Sequence, residues 1–311
     1  MSLPVSLGTS SLKTPRLAYG CWRIADATDP EENLRTAQAA VGAALEAGYT
    51  LFDLADIYCH GRSEQVFGRI LRDQRGLREK IVIATKCGIR FDGEPTPDAP
   101  YRFDFSAEHI TRSCEGSLKR MGIDTIDLYQ LHRPDYLMDP EEVASAFANL
   151  RESGKVREFG LSNFRPSQVT LLQRACPMPL VVNQVEISLL QQRTLEDGTL
   201  DQCLAERITP LAWSPLGGGL LGAGPRRILR AQEAYNPDAA LAEIDRVAKI
   251  HGCSRMVVAL AWLLKHPAGI VPIVGSTNPA RIREAMQALG VEVSREDWYR
   301  LLVAGRGEPL P

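Results

Sequence analysis

Ionisable residues stand where several apolar segments of this chain end, and acid–base chemistry is what such groups could carry. Asp53, Lys86 and His132 each lie at or near the end of a short apolar run, and Tyr58 follows Asp53 by five positions. A carboxylate inside an apolar run is costly unless it meets a partner. Taken singly, Asp53 could cap a turn, Lys86 could be a solvated strand end and His132 a hydrogen-bonded core histidine.

The elements that would position these residues alternate between strands and helices. Strands are predicted over 16–20, from 49, and over 80–86, 126–132, 156–162, 180–187, 209–213 and 269–274. Helices are predicted over 30–47, 63–73, 106–121, 140–152, 166–175, 195–207, 237–251, 255–265, 279–289 and 295–302. This alternation implies parallel βαβ units, and eight of them over this length suit a closed barrel. We expect an α/β fold, a (β/α)8 TIM barrel formed as a single domain over residues 1–311 with extra C-terminal helices; a doubly wound sheet is the alternative.

In a parallel barrel the C-terminal ends of the strands lie on one face, where active sites are built. Asp53, Lys86 and His132 would therefore reach the same rim, although they are far apart in the sequence. Polar and aromatic residues also end or follow the fifth to seventh strands: Ser162, Asn163, Gln184 and Trp213. The hydroxyl and amides could hold a polar ligand, and the tryptophan could stack on a flat ring or belong to the barrel core.

Two glycine-containing segments near the later strands suggest a phosphate or a dinucleotide. Residues 275–281 lead from the last strand into a helix, a common place in barrels for a phosphate met by the helix N-terminus and Arg281, although alone Arg281 would more often be a surface charge. Gly217, Gly219 and Gly222 match the GxGxxG fingerprint. That motif belongs to a first βαβ unit in which a helix opens at once. Here six strands precede the strand that the motif follows, so it does not indicate a Rossmann domain.

Composition excludes several classes of partner. Hydrophobic residues make up 44% of the 311, charged residues 24%, and the formal net charge is −2 with no basic run, which argues against nucleic-acid and membrane-surface partners. The seven cysteines have no CxxC spacing, and the N-terminus lacks the pattern of a secretory signal. We therefore expect a cytoplasmic protein that binds no metal and no membrane.

Together the motifs resemble the aldo-keto reductase family from about Leu7 to Leu289. The segments that carry the resemblance are Phe52–Tyr58, Gly61, Ser63–Glu64, Gly68, Ala84–Lys86, Asp127–His132, Gly160–Phe164, Asn183–Glu186, Trp213–Gly217 and Val274–Arg281. Their order and spacing match throughout, and it is this combination that makes the resemblance specific.

The resemblance implies a catalytic tetrad of Asp53, Tyr58, Lys86 and His132. A free tyrosine has a pKa near ~10, and the ammonium of Lys86 would lower the pKa of Tyr58. Asp53 would pair with Lys86 and hold it in place. His132 would donate a hydrogen bond to a carbonyl oxygen, while Tyr58 would be the general acid in reduction and the general base in oxidation.

The resemblance also implies a nicotinamide cofactor, NADP(H) rather than NAD(H). The implied contact residues are Gly20, Cys21, Trp22, Ser162, Asn163, Gln184, Trp213, Ser214, Leu216, Gly217, Gly219, Gly275, Ser276, Thr277, Arg281 and Glu284. Trp213 would stack on the nicotinamide, and Ser276 and Arg281 would contact the adenosine 2′-phosphate. The chain departs from the family at Gly275, where many members have lysine, and at Cys59-His60, which replaces a common glycine.

The predicted function is NADPH-dependent reduction of an aldehyde or ketone. The alternative is a cofactor-bound regulatory or redox-sensing subunit with slow turnover; a hydrolase that uses Asp53 and Asp56 is a poor third. The substrate is a small-molecule carbonyl compound that the sequence does not specify, and the protein is expected to be a monomer or a small homo-oligomer. Loops 88–104 and 218–235 and the C-terminal tail would set specificity. Trp22, Arg23, Arg90 and Arg133 could line the pocket, with a surface role as the alternative for each. His60 could shape the pocket, but a solvated position in the loop is the favoured interpretation.

Overall fold

Eight parallel strands close into a barrel in the computed structural model, which describes residues 4–311. In chain order they are β1 (Ala18–Gly20), β2 (Leu51–Asp53), β3 (Val82–Cys87), β4 (Ile126–Leu131), β5 (Val156–Ser162), β6 (Leu180–Glu186), β7 (Thr209–Trp213) and β8 (Val271–Val274). Each strand pairs with its sequence neighbours, and β8 pairs with β1 to close the ring. The predicted TIM barrel is confirmed.

Ten α-helices accompany the strands in the described part of the chain. They are α1 (Pro30–Ala47), α2 (Arg62–Asp73), α3 (Ala107–Met121), α4 (Pro140–Glu152), α5 (Pro166–Ala175), α6 (Thr199–Glu206), α7 (Asp238–His251), α8 (Arg255–Lys265), α9 (Pro279–Ala285) and α10 (Arg295–Arg306). The predicted boundaries of α1 are confirmed by its caps. The Asp29 side chain accepts the Glu31 N–H, and Gly48 ends the helix at φ 94°.

Strand register places the ionisable residues at one rim. Gly20 lies beside Asp53 in the β1–β2 pair, and Lys86 lies beside Gln130 in the β3–β4 pair. Backbone hydrogen bonds continue past the strand ends, from His132 N to Cys87 O at 2.8 Å. The polar residues that end β2, β3 and β4 therefore reach the same face of the barrel.

A hairpin that periodicity did not predict lies at the opposite end of the barrel. Val5–Ser6 pairs antiparallel with Lys13–Thr14, and the turn carries Leu7 and Leu12 into the apolar cluster inside the barrel. The Gly8 N–H donates to Thr209 Oγ1 at 2.7 Å. This hairpin fills the interior from the N-terminal side.

Several segments differ in detail from the predicted pattern. The loop 88–104 contains a short hairpin of Ile89–Arg90 with Arg102–Phe103. The predicted helix 195–207 is a 3₁₀ turn followed by α6, because Gly198 at φ 82° breaks the helical path. Likewise α9 stops at Ala285, and a 3₁₀ segment continues to Gly290.

The extra helices α7 and α10 pack against each other and on α8. Trp262 of α8 and Trp298 of α10 stack at 5.1 Å between ring centroids, and each indole N–H donates to the other residue's carbonyl at 3.0 Å. Among residues 4–311 no single helix is long and apolar enough to cross a membrane. Only α7 and α8 taken together reach that length and composition, and they meet at 92°.

Candidate active site

A cavity of about 1290 Å³ opens at the C-terminal ends of the strands. Its wall includes most of the residues that the sequence singled out. These are Gly20, Trp22, Asp53, Tyr58, His132, Ser162, Asn163, Gln184, Trp213, Ser214, Leu216, Gly219, Gly275, Ser276, Thr277, Arg281 and Glu284. The strand ends thus bring residues from the whole length of the chain to one space.

Three of the predicted catalytic and cofactor-binding residues do not line this cavity. Lys86 is fully buried beneath its wall, in contact with Asp53 and Tyr58. Cys21 is fully buried, and its N–H donates to the Asp53 carbonyl at 2.9 Å. Gly217 is buried against Leu190. The wall at these points is made by neighbouring residues, so the structure gives Cys21 and Gly217 no direct access to a bound molecule.

Lys86 uses all of its hydrogen-bonding capacity inside the rim. Its Nζ donates to Asp53 Oδ2 at 2.7 Å, to the Leu54 carbonyl at 2.7 Å and to the Tyr58 hydroxyl at 3.1 Å. A lysine ammonium has three protons, and each has an acceptor here. The other Asp53 oxygen accepts from Gln184 Nε2 at 2.8 Å. Asp53 therefore has the partner that its apolar surroundings demand.

Burial and charge act in opposite directions on the pKa values of this group. Burial by itself lowers the pKa of Lys86, but the carboxylate of Asp53 and the hydroxyl of Tyr58 outweigh it and raise that pKa. Burial raises the pKa of Tyr58 above its usual value of 10, and this effect exceeds the opposing effect of Lys86. The ammonium acts in the predicted direction, yet the predicted net decrease in the Tyr58 pKa is wrong. Tyr58 consequently holds its proton at neutral pH.

His132 stands beside Tyr58 as a neutral imidazole. Burial, together with the charges of Lys86 and Arg133, holds the pKa of His132 well below 6.5. Its ring lies edge-on to the Tyr58 ring, with 5.8 Å between centroids. The buried Nδ1 has no hydrogen-bond partner among the described residues. A neutral imidazole carries one N–H, so His132 can donate one hydrogen bond into the cavity.

Asn163 ties the histidine to the tryptophan, a role that the sequence did not reveal. Its Nδ2 donates to the His132 carbonyl at 3.0 Å, and its Oδ1 accepts from Trp213 Nε1 at 3.0 Å. The backbone of Asn163 is left-handed, at φ 65°, a conformation that asparagine tolerates better than most residues. The Asn163 amide was predicted to hold a ligand, but both of its polar atoms have partners within the protein. Its oxygen holds the indole N–H of Trp213 and so helps to orient that ring.

The far end of the cavity is formed by the segment that follows β8. Asn278 Oδ1 accepts from the N–H groups of Ala280 and Arg281, at 2.9 Å and 3.3 Å. Because α9 has only seven residues and this cap engages its first N–H groups, the predicted use of a helix N-terminus for a phosphate is not supported. The Arg281 side chain remains on the wall, together with Ser276 and Thr277.

Of the arginines proposed for the pocket, Arg90 is not there. It pairs with Asp104 at 2.7 Å and stabilises the hairpin in the loop 88–104. Arg23 and Arg133 do line the cavity. So does Trp22, which stacks on Tyr58 at 5.7 Å between ring centroids.

The mouth of the cavity also contains aromatic residues that no motif predicted. Phe91 and Tyr101 come from the loop 88–104, whose unusual length was the one available signal, and His60 packs on Phe91 at 4.9 Å between centroids. Within residues 4–311 no group of three or more His, Cys, Asp or Glu side chains could hold a metal ion.

A (β/α)8 barrel with a protonated tyrosine held by a buried lysine–aspartate pair defines a class of enzyme, and sequence comparison identifies that class. The model of the Aldo/keto reductase family matches residues 16–302. The chain belongs to this family of oxidoreductases.

Two bacterial proteins are similar to this chain over almost its full length. The 6-dehydroglucose reductase of Novosphingobium aromaticivorans is 44% identical, with 98% of this chain and 96% of that protein covered. The 6-dehydroglucose reductase of Agrobacterium fabrum is 42% identical, with 97% and 98% covered.

Solved structures share the whole architecture. The glycerol dehydrogenase from Gluconobacter oxydans superposes with a TM-score of 0.85 at 26% identity, covering 99% of this chain and 97% of that one. An aldo-keto reductase from Bacillus halodurans, described as the holo form, gives 0.79 at 25% identity, covering 97% and 95%.

Proposed function

We propose that the protein reduces an aldehyde or ketone to an alcohol with NADPH, by reversible hydride transfer in the cytoplasm. The observation that carries this proposal is the contact of Lys86 Nζ with both Asp53 Oδ2 and the Tyr58 hydroxyl, at 2.7 Å and 3.1 Å. It equips a cavity-facing phenol for proton transfer. The bound cofactor would supply the hydride to the carbonyl carbon, and the protein supplies the proton and the positioning.

Tyr58 is the proton donor in this proposal. As the carbonyl oxygen gains negative charge, the phenol transfers its proton to that oxygen, and the resulting phenolate is stabilised by the ammonium of Lys86. Asp53 keeps Lys86 in place and charged. His132, neutral and buried, donates a hydrogen bond that orients the carbonyl oxygen. Alcohol oxidation runs through the same groups in reverse, with the Tyr58 phenolate as the base.

The residues on the cavity wall fit a nicotinamide dinucleotide. Trp213 presents a half-buried aromatic plane whose edge is fixed by Asn163, which suits stacking on a flat ring. At the other end, Arg281 and Ser276 offer a guanidinium and a hydroxyl for a phosphate. The 2′-phosphate on the adenosine ribose, which NADPH has and NADH lacks, would contact these two groups. Their presence supports NADPH over NADH.

The substrate class we propose is a polyhydroxylated aldehyde such as 6-dehydroglucose. Two relatives above 40% identity carry the name 6-dehydroglucose reductase. The cavity also holds Arg133, a half-buried guanidinium 5.5 Å above the Trp213 ring that forms no ion pair with any described residue. A guanidinium offers five N–H donors in a fixed plane, and these suit neighbouring hydroxyl groups.

The test compares NADPH consumption by the wild type and by Tyr58→Phe, with 6-dehydroglucose and with an apolar aldehyde of similar size. Loss of the phenol should reduce turnover by at least about 10²-fold, within the usual range of general acid catalysis. Equal rates in the two proteins would contradict the role of Tyr58. If the wild type binds NADPH but turns over slowly with every aldehyde, the result would instead support the alternative hypothesis of a cofactor-bound regulatory subunit.

A further inference from the structure

The loop that follows β7 folds back on itself beside the cavity. This glycine loop comprises residues 217–235. Its first arm contributes Gly218 and Gly219 to the cavity wall, and its second arm contributes Pro225, Arg227 and Leu229. The two arms are joined by the Arg227 N–H, which donates to the Gly218 carbonyl at 2.7 Å.

Glycine is required in the first arm by this close approach. A Cβ on Gly218, at φ 67°, would lie 2.7 Å from Gln232 Oε1 and 2.9 Å from Ile228 Cα. A Cβ on Gly219, at φ 95°, would lie 2.8 Å from the Pro225 carbonyl oxygen. Gly218 and Gly219, the second of which belongs to the GxGxxG match, therefore make room for the second arm of the same loop.

One buried glutamine connects the second arm to the barrel. Gln232 is 1% exposed. Its Nε2 donates to Glu186 Oε1 at 2.6 Å, while its Oε1 accepts the Leu229 N–H at 2.9 Å. The Tyr235 hydroxyl donates to the same Glu186 oxygen at 3.1 Å. Glu186 is the last residue of β6, so a single carboxylate at a rigid strand end holds the loop at two points.

We propose that Glu186 and Gln232 form an anchor that positions the glycine loop on the cavity wall for the binding of NADPH. The proposal rests on the proposed function. Neither residue lines the cavity, so both are positioning residues that act through the loop. The loop also touches the phosphate end of the cavity, because a Cβ on Gly224 would meet Arg281 Nη1 at 2.6 Å.

A second attachment of the loop is weaker on physical grounds. Arg227 pairs with Asp26 at the cavity edge, with about half of each side chain exposed to solvent. Exposed ion pairs are screened by water and salt and contribute little. The anchor joins the half-buried carboxylate of Glu186 to the buried amide of Gln232 and the half-buried hydroxyl of Tyr235, and such charge-assisted hydrogen bonds are the stronger kind.

The deciding experiment exchanges the two partners of the anchor. Gln232→Glu keeps the acceptor for Leu229 but places a second carboxylate against Glu186. We expect the Kd for NADPH, measured by titration calorimetry, to rise by about tenfold or more, the factor that corresponds to losing a hydrogen bond to a charged group. Adding Glu186→Gln restores a donor–acceptor pair in the opposite sense, and the double variant should recover the wild-type Kd to within about threefold.

A matched control lies on the surface helix α6. There Gln202 Nε2 donates to Glu206 Oε1 at 3.1 Å, so Gln202→Glu makes the same change of charge opposite a glutamate away from the cavity. Its Kd for NADPH should stay at the wild-type value. At saturating NADPH the single-turnover hydride rate of Gln232→Glu should stay within a few-fold of wild type, since the anchor does not touch the reacting groups.

The outcomes separate this inference from the proposed function. If the wild type binds no NADPH, both proposals are overturned. If the wild type binds and reduces while Gln232→Glu binds equally well, or the exchanged pair fails to restore binding, only the anchor is overturned. Should Gln232→Glu fail to fold, Gln232→Met removes the donor without adding charge, and an unchanged Kd in that variant would overturn the anchor as well.

Discussion

The two ends of the barrel bury different kinds of side chain. At the C-terminal end, Lys86 and Asp53 are buried as a charged pair in which every Lys86 proton has an acceptor. At the N-terminal end, Leu7 and Leu12 of the hairpin fill the interior with apolar side chains. Burying a paired charge contributes little net stability, whereas burying a leucine contributes directly. The comparison indicates that the catalytic end is organised for chemistry and the hairpin end for stability.

The largest effect is expected from Lys86→Met. Without the ammonium, the phenolate of Tyr58 has no stabilising charge and turnover should fall by about 10²–10⁴-fold. The same change leaves Asp53 buried without its partner and should cost roughly 3–5 kcal/mol in the free energy of unfolding, measured with urea. Adding Asp53→Asn removes the unpaired charge, so the double variant should regain stability and remain inactive. Recovery of activity in the double variant would contradict the catalytic role of the charged pair, and with it the contrast between the two ends of the barrel.

The opposite result is expected at the other end. Leu7→Ala should lower the free energy of unfolding by about 2–5 kcal/mol, because it leaves a cavity inside the barrel. Its kcat/KM should remain within about twofold of wild type at temperatures where the protein is folded. Urea unfolding and initial rates on the same samples measure both quantities. A large loss of kcat/KM in folded Leu7→Ala would show that the two ends are coupled.

A moderate effect is expected when the tether between His132 and Trp213 is removed. Asn163→Gly deletes the side chain but keeps the left-handed backbone accessible, and kcat/KM should fall by up to about tenfold, the factor for one typical hydrogen bond. Asn163→Ala makes the same deletion at a position where a Cβ costs roughly 1–2 kcal/mol. The difference between the free energies of unfolding of these two variants measures the cost of a Cβ in the left-handed backbone of residue 163. Unchanged kcat/KM in Asn163→Gly would mean that the indole needs no tether.

The smallest effect is expected from pH across the neutral range. Reduction needs protonated Tyr58, and because burial raises the pKa of Tyr58 above 10, the rate should stay level up to about that value and fall beyond it. Oxidation of the alcohol, which needs the phenolate, should increase over the same alkaline range. His132 stays neutral through this interval because its pKa is well below 6.5. An inflection near pH 6.5 that disappears in His132→Gln would contradict this assignment.

The sequence predicted those parts of the site that follow from strand ends. Asp53 and Lys86 end neighbouring parallel strands, so their meeting needed only the barrel topology. The hairpin around Leu7 was missed because its two-residue strands are too short to show a period. The tether through Asn163 and the Arg90–Asp104 pair depend on where long side chains turn within loops, and spacing does not determine that. For Tyr58, the sequence gives the neighbouring charge but not the degree of burial, and burial decides the sign of the pKa shift.

The reciprocal tryptophan pair of α8 and α10 has a spectroscopic consequence. The chain has four tryptophans. Trp22 and Trp213 line the cavity. Trp262 and Trp298 do not line it; they stack on each other and are joined by two hydrogen bonds. A ligand in the cavity should quench the emission of the first two and leave that of the second two nearly constant. The protein thus carries an internal intensity standard, against which ligand binding and loss of tertiary packing give distinguishable fluorescence changes.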